Sequence, residues 1–124
     1  MAAVYWIAGL ALVAFELAAG LGKVLRIEMA KEAFDRMGIS HVAMAAFGGV
    51  EIGAINIVII GMFAPSVALG QLTPWAVVAV IGLQLLHLFW LRRAGEPSAA
   101  LVGPAFVIAA SLLFLLARSS ASLA

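Results

Sequence analysis

A chain of 124 residues that is 66% hydrophobic, only 10% charged and has a mean hydropathy of +1.21 lies far outside the soluble range and belongs in a bilayer. Its net charge of +1, with Lys and Arg beside the ends of apolar runs rather than in one field, leaves no basis for a nucleic-acid partner. Cysteine is absent, which excludes disulfides, thiolate metal sites and thiol redox chemistry on this chain.

A helix needs about 20 mostly apolar residues to cross the hydrocarbon core. Residues 4–22, 39–63, 73–91 and 99–117 supply four such runs, and the loops between them are too short to fold a separate core. The expected architecture is all-α, a single domain over residues 1–124 forming an integral membrane antiparallel four-helix bundle. The first run reads as a retained helix rather than a secretory signal, because no Lys or Arg precedes it and Glu16 interrupts it.

Between the first and second spans, Ile27, Ala30, Phe34 and Met37 recur at helical spacing, with Glu28, Glu32, Asp35 and Arg36 opposite. That pattern predicts a short amphipathic interfacial helix carrying a Glu32–Arg36 i,i+4 pair. Gly38 is placed to close it and Ser40 to cap the second span. In that span Ala45, Gly49, Gly53 and Asn56 share one side, with Gly49 and Gly53 forming a GxxxG, and predict packing against another helix of the bundle or, as readily, a dimer seam. Glu51 points the other way, flanked by Phe47, Gly48, Ala54 and Ile55, toward the bundle interior or a second chain.

Pro65 stops the second span, Thr73 and Pro74 offer an N-cap followed by proline at N1, and Glu96, Pro97 and Ser98 restart the chain in the same way. Pro104 falls inside the fourth run and predicts a local kink. Trp6, Trp75 and Trp90 fall near span ends, as interfacial anchors do. Lys23, Arg26, Lys31, Arg36, Arg92 and Arg93 lie on one side of an alternating chain and Arg118 alone on the other. This bias places both termini on the non-cytoplasmic side of what is expected to be a bacterial cytoplasmic membrane.

Counting 1.5 Å per residue from the cytoplasmic span ends puts Glu16 ~9 Å deep, His87 ~6 Å and Glu51 ~18 Å. Lys23 shares a face with Glu16, and Gln84 with His87. The spacing predicts an intramembrane polar cluster of Glu16, Lys23, Gln84 and His87, with Glu51 deeper and Asn56 beyond it. A charge at the centre of a spanning helix costs at least ~2.5 kcal/mol, so each such group needs a partner, a proton or a task. For Glu16 and Glu51 a structural carboxyl and a functional one remain open. His87 fits an interhelical hydrogen bond, proton handling or ligation. No metal site is expected, since neither HxxxH nor ExxH spacing occurs, and no phosphate-binding glycine loop, nucleophile elbow or haem motif is present. No catalytic residues are assigned, and the chain is not expected to be an enzyme on its own.

Ala19-Gly20-Leu21-Gly22-Lys23-Val24, Arg36-Met37-Gly38-Ile39-Ser40, Gly48-Gly49-Val50-Glu51-Ile52-Gly53-Ala54, and His87-Leu88 followed by Arg92-Arg93-Ala94-Gly95-Glu96-Pro97 stand in an order that resembles the DoxX-like family of small four-helix membrane proteins. Tyr5 and Trp6 stand where that family often has an arginine. The resemblance implies the fold, and an accessory role in a quinone-linked or other redox membrane complex. Relatives that act as membrane chaperones or assembly factors imply the alternative, a protein that binds another membrane protein through its helix faces. No intrinsic cofactor is expected. Electrons would need a bound quinone or a partner's cofactor, and the expected partners are membrane lipid and another membrane protein or a second copy. A small transporter ranks below both, because four spans make a thin bundle and show no inverted repeat.

Overall fold

The computed structural model describes residues 2–123. Among these the fold is all-helical. Helix α1 spans Ala2–Val24, α2 Glu28–Met37, α3 His41–Phe63, α4 Thr73–Arg93 and α5 Val102–Leu123, with single 3-10 turns at Gly70–Leu72 and Ser98–Leu101. Helices α1, α3, α4 and α5, the last two with their leading 3-10 turns, are long and apolar enough to cross a membrane, which marks an integral multi-pass membrane protein.

The helix ends follow from local chemistry. Helix α2 stops where Gly38 enters the left-handed region at φ 74°, and two bonds tie off its last turn: Gly38 N–H to the Asp35 carbonyl at 3.0 Å and Ile39 N–H to the Phe34 carbonyl at 3.0 Å. Gly95, at φ 73°, closes α4 in the same way. Arg26 does so for α1 without being glycine, at φ 54°, with Ile27 N–H on the Gly22 carbonyl at 3.1 Å. Ser40 caps α3 as expected, its hydroxyl accepting from Ala43 N–H at 3.1 Å.

Four local expectations are corrected. Thr73 does not cap α4; a 3-10 turn precedes it, and its hydroxyl donates back to the Gly70 carbonyl at 2.5 Å. Glu96 and Ser98 do not cap the last helix either, because the chain enters through the Ser98–Leu101 turn and Glu96 is held by Arg36 Nε at 2.9 Å. That same contact replaces the expected Glu32–Arg36 pair, while Lys31 reaches Glu28 at 2.8 Å. Pro104 is the third residue of α5, in the first turn, where a helix has no use for its backbone donor.

Each long helix packs against two others, in the cyclic order α1, α3, α4, α5 and back to α1, and α2 lies against α1, α3 and α4. One apolar cluster fills the centre, built on Leu12, Ile55, Val58, Val77, Val80, Val107 and Phe114. A second, of Phe34, Met37, Met44 and Leu91, seats α2 on the first turns of α3 and the end of α4. Trp75 is exposed, whereas Trp90 is half-buried against Phe34 and Phe47 and so packs α2 rather than serving as a free anchor.

Helices α1 and α3 approach closely at Gly20 and Gly48. A Cβ at Gly48 would stand 2.7 Å from the Gly20 carbonyl oxygen and 2.7 Å from Lys23 Cβ. On the expected packing face of Ala45, Gly49, Gly53 and Asn56, only Ala45 is half-buried. Gly49, Gly53 and Asn56 are exposed, and a Cβ at Gly49 or Gly53 would touch nothing within 4 Å. The neighbours of α3 take the side that carries Glu51, because that side holds groups which cannot face acyl chains.

Candidate functional site

Polar side chains meet between the two apolar clusters. Lys23 comes from the last turn of α1 and Glu16 from two turns earlier on the same face, while α3 supplies Glu51 and α4 supplies Gln84. Lys23 Nζ donates to Glu51 Oε1 at 2.7 Å, with the two side chains 8% and 0% exposed. Gln84 Nε2 donates to Glu51 Oε2 at 3.1 Å and to Glu16 Oε1 at 3.0 Å, so one amide nitrogen joins both carboxyls. Lys23 Nζ also lies 3.4 Å from the Ala19 carbonyl and 5.2 Å from the centre of the Phe47 ring.

Glu16, Lys23, Glu51 and Gln84 are therefore brought together. Glu51 is not a separate, deeper group. Because Gly48 abuts Gly20, Glu51 comes level with Glu16, and only the first turn of α3 extends past the end of α1, where it packs on α2. His87 is near the cluster and not bonded into it. Among the described residues no hydrogen bond reaches its imidazole, which lies against Phe34 and Phe47 with ring centres 5.9 Å away in each case. Asn56 is apart, on the outer side of α3. His41 pairs with Asp35 at 2.8 Å outside the bundle core. Among the described residues no three His, Asp or Glu side chains are placed to hold a metal ion together.

Glu16 Oε2 is buried without a hydrogen-bond partner. Both carboxyls accept from the same Gln84 amide nitrogen, and two buried carboxylates held this close repel each other. The set holds two carboxyls against one ammonium. Its charges balance when one further positive charge, such as a proton, is bound.

A cavity of about 160 Å³ opens beside this set, walled by Glu16, Lys23, Glu51, Gln84 and His87 on the polar side and by Phe15, Gly103 and Pro104 opposite. Another, of about 240 Å³, lies between α1 and α2 and shares Ala19, Lys23 and His87 with the first. The buried Ser111 hydroxyl, which the sequence did not single out, also has no partner. Nothing in a lone serine within an apolar run distinguishes it from the many that bond their own helix. The pairing of Gly20 with Gly48 was equally unmarked, since the two lie 28 residues apart.

No protein-family model matches this chain, and neither a curated protein nor a solved structure matches it.

Proposed function

We propose that this chain is a DoxX-like accessory subunit of a quinone-linked or other redox membrane complex, in which the Glu16–Glu51 pair holds and passes a proton at membrane depth. One observation carries this: two buried carboxyls share the Gln84 amide and a single lysine, which leaves one positive charge to be supplied. A purely structural ion pair would need one carboxyl. The second is the group that a proton-coupled partner can use, and the adjoining cavity gives it access.

In this arrangement the four long helices cross a bacterial cytoplasmic membrane antiparallel to one another, both termini are non-cytoplasmic, and α2 lies in the interface. The basic residues at the ends of α1 and α4 and along α2 support that placement. Without cysteine the electrons belong to a bound quinone or to the partner.

The test is purification in native lipid with identification of co-purifying proteins and quinone. A redox protein should accompany the chain, and Glu16→Gln and Glu51→Gln should each lower the complex's turnover at least tenfold while leaving the partner bound. Recovery without a redox partner and without quinone overturns the proposal. An assembly role is the second reading, favoured by the outward face of Gly49, Gly53 and Asn56. In that case Gly49→Leu with Gly53→Leu abolishes partner capture and Glu16→Gln is mild.

A further inference from the structure

Helices α1 and α5 do not close against each other along their whole length. From the level of Val4 and Leu113 to that of Ala11 and Phe106 they leave a groove of about 340 Å³ with a nearly wholly apolar lining, walled on α5 by Ala109 and Ala110. The polar cavity that holds Glu16 and His87 continues the same seam, because it is walled by Phe15 of α1 and Gly103 of α5. Between the two stands one aromatic contact. Phe15 walls the polar cavity, Phe106 walls the apolar groove, and their rings touch with centres 5.4 Å apart and planes tilted by 49°. Both rings are partly exposed, at 41% and 46%, so neither is fixed by the core. From Val4 to Phe15 the seam rises ~17 Å along α1.

We propose that this seam binds a single-chain amphiphile with a neutral, hydroxyl-bearing head, seated with the head in the Glu16–His87 cavity and the chain past Phe15 and Phe106 in the α1–α5 groove. It rests on the proposed function in using the same carboxyl cluster, and adds the class of ligand that cluster would meet.

The chemistry of the polar end selects the head. Glu16, 1% exposed, contributes an oxygen with no donor, and His87 contributes an imidazole that packs on two rings and that no hydrogen bond reaches among the described residues. A hydroxyl is both donor and acceptor, so one head can answer both groups. An anionic head is opposed by two carboxyls, and a cationic one would have to leave water at membrane depth. The other end selects the tail. A groove whose walls are alanine and large apolar side chains offers close packing to a methylene chain and nothing to a polar one.

The experiment measures binding to the full chain in nanodiscs by native mass spectrometry. Two probes share a hydroxyl head and a ten-carbon chain, 1-decanoylglycerol and decylhydroquinone; hydroquinone lacks the chain and decane lacks the head. At least one of the first two should bind, with hydroquinone and decane each at least tenfold weaker. Ala109→Phe and Leu113→Trp, both on exposed groove positions and so without demand on the core, should each cut probe binding about tenfold, and His87→Phe should do the same from the other end. Binding of decanoylglycerol alone assigns the source to a lipid, and binding of decylhydroquinone alone assigns it to the quinol pool. Decane bound as well as the probes, or binding untouched by both groove variants, overturns the inference. Those results leave the turnover effect of Glu16→Gln unaddressed, and a loss of that effect leaves probe binding intact, so the two proposals fail separately.

Discussion

Replacing Lys23 by Met and Glu51 by Leu, singly and together, tests whether the centre of this bundle is an ion pair. At 2.7 Å and an effective dielectric of about 20 the Coulomb attraction is ~6 kcal/mol, against a desolvation cost of several kcal/mol per ion. Lys23→Met leaves Glu51 with only the Gln84 N–H, and should cost ~3–5 kcal/mol, as other broken buried pairs do. Glu51→Leu should cost less, ~2–3 kcal/mol, because Lys23 is in the last turn of α1 and its stem can swing the ammonium toward the headgroups. The double variant removes both charges and deprives Gln84 of one acceptor, for ~1–2 kcal/mol. The coupling is then ~3 kcal/mol or more. Reversible unfolding in mixed micelles, followed by tryptophan fluorescence, measures it. Neutral hydrogen bonds between membrane helices average ~0.6 kcal/mol and reach ~1.7 at most. A coupling below that ceiling reduces the contact to a neutral hydrogen bond, and additivity within ~0.5 kcal/mol refutes any pairing.

Two further outcomes are expected of the same unfolding assay. Arg26 holds a left-handed conformation at φ 54°, so Arg26→Gly should raise stability by about 1 kcal/mol, whereas Gly38→Ala, at φ 74°, should lower it by a similar amount; the opposite order would show that the turns are held by side-chain contacts instead. Ser111 buries a hydroxyl with no partner, so Ser111→Ala should be neutral or stabilise by up to about 1 kcal/mol, and a loss of more than that would reveal a bond to Ser111.

What the sequence disclosed is what the bilayer enforces. Four apolar runs became four long helices because backbone groups in hydrocarbon must be satisfied within the segment. The period of Ile27, Ala30, Phe34 and Met37 became α2, with Phe34 and Met37 buried. Glu16, Lys23, Glu51 and Gln84 could be singled out because polar groups at that depth are too costly to be left alone, and they do meet. Which surfaces touch was much less legible. The Arg36–Glu96 contact joins residues 60 apart, and no local spacing announces it. The Gly49–Gly53 spacing describes a smooth face without saying whether a neighbour comes from this chain or another.

The Gly20–Gly48 crossing and the Lys23–Glu51 pair are one device. A lysine in the last turn of α1 reaches a carboxyl on α3 only if the two backbones come close, and Gly20 is three residues before Lys23 as Gly48 is three before Glu51. The close approach is thus on the charged side of α3, opposite the face where GxxxG suggested it. Gly48→Ala places a methyl 2.7 Å from both the Gly20 carbonyl and Lys23 Cβ, neither of which is the free end of a flexible chain. It should cost ~1–3 kcal/mol as overpacking, and by pushing Lys23 away it should also erase most of the Lys23–Glu51 coupling. Gly49→Ala, one residue on and open to the exterior, should change stability by no more than about 0.5 kcal/mol. If the Gly48→Ala background keeps the full coupling, α1 and α3 can separate without breaking the ion pair, and the glycines serve packing alone.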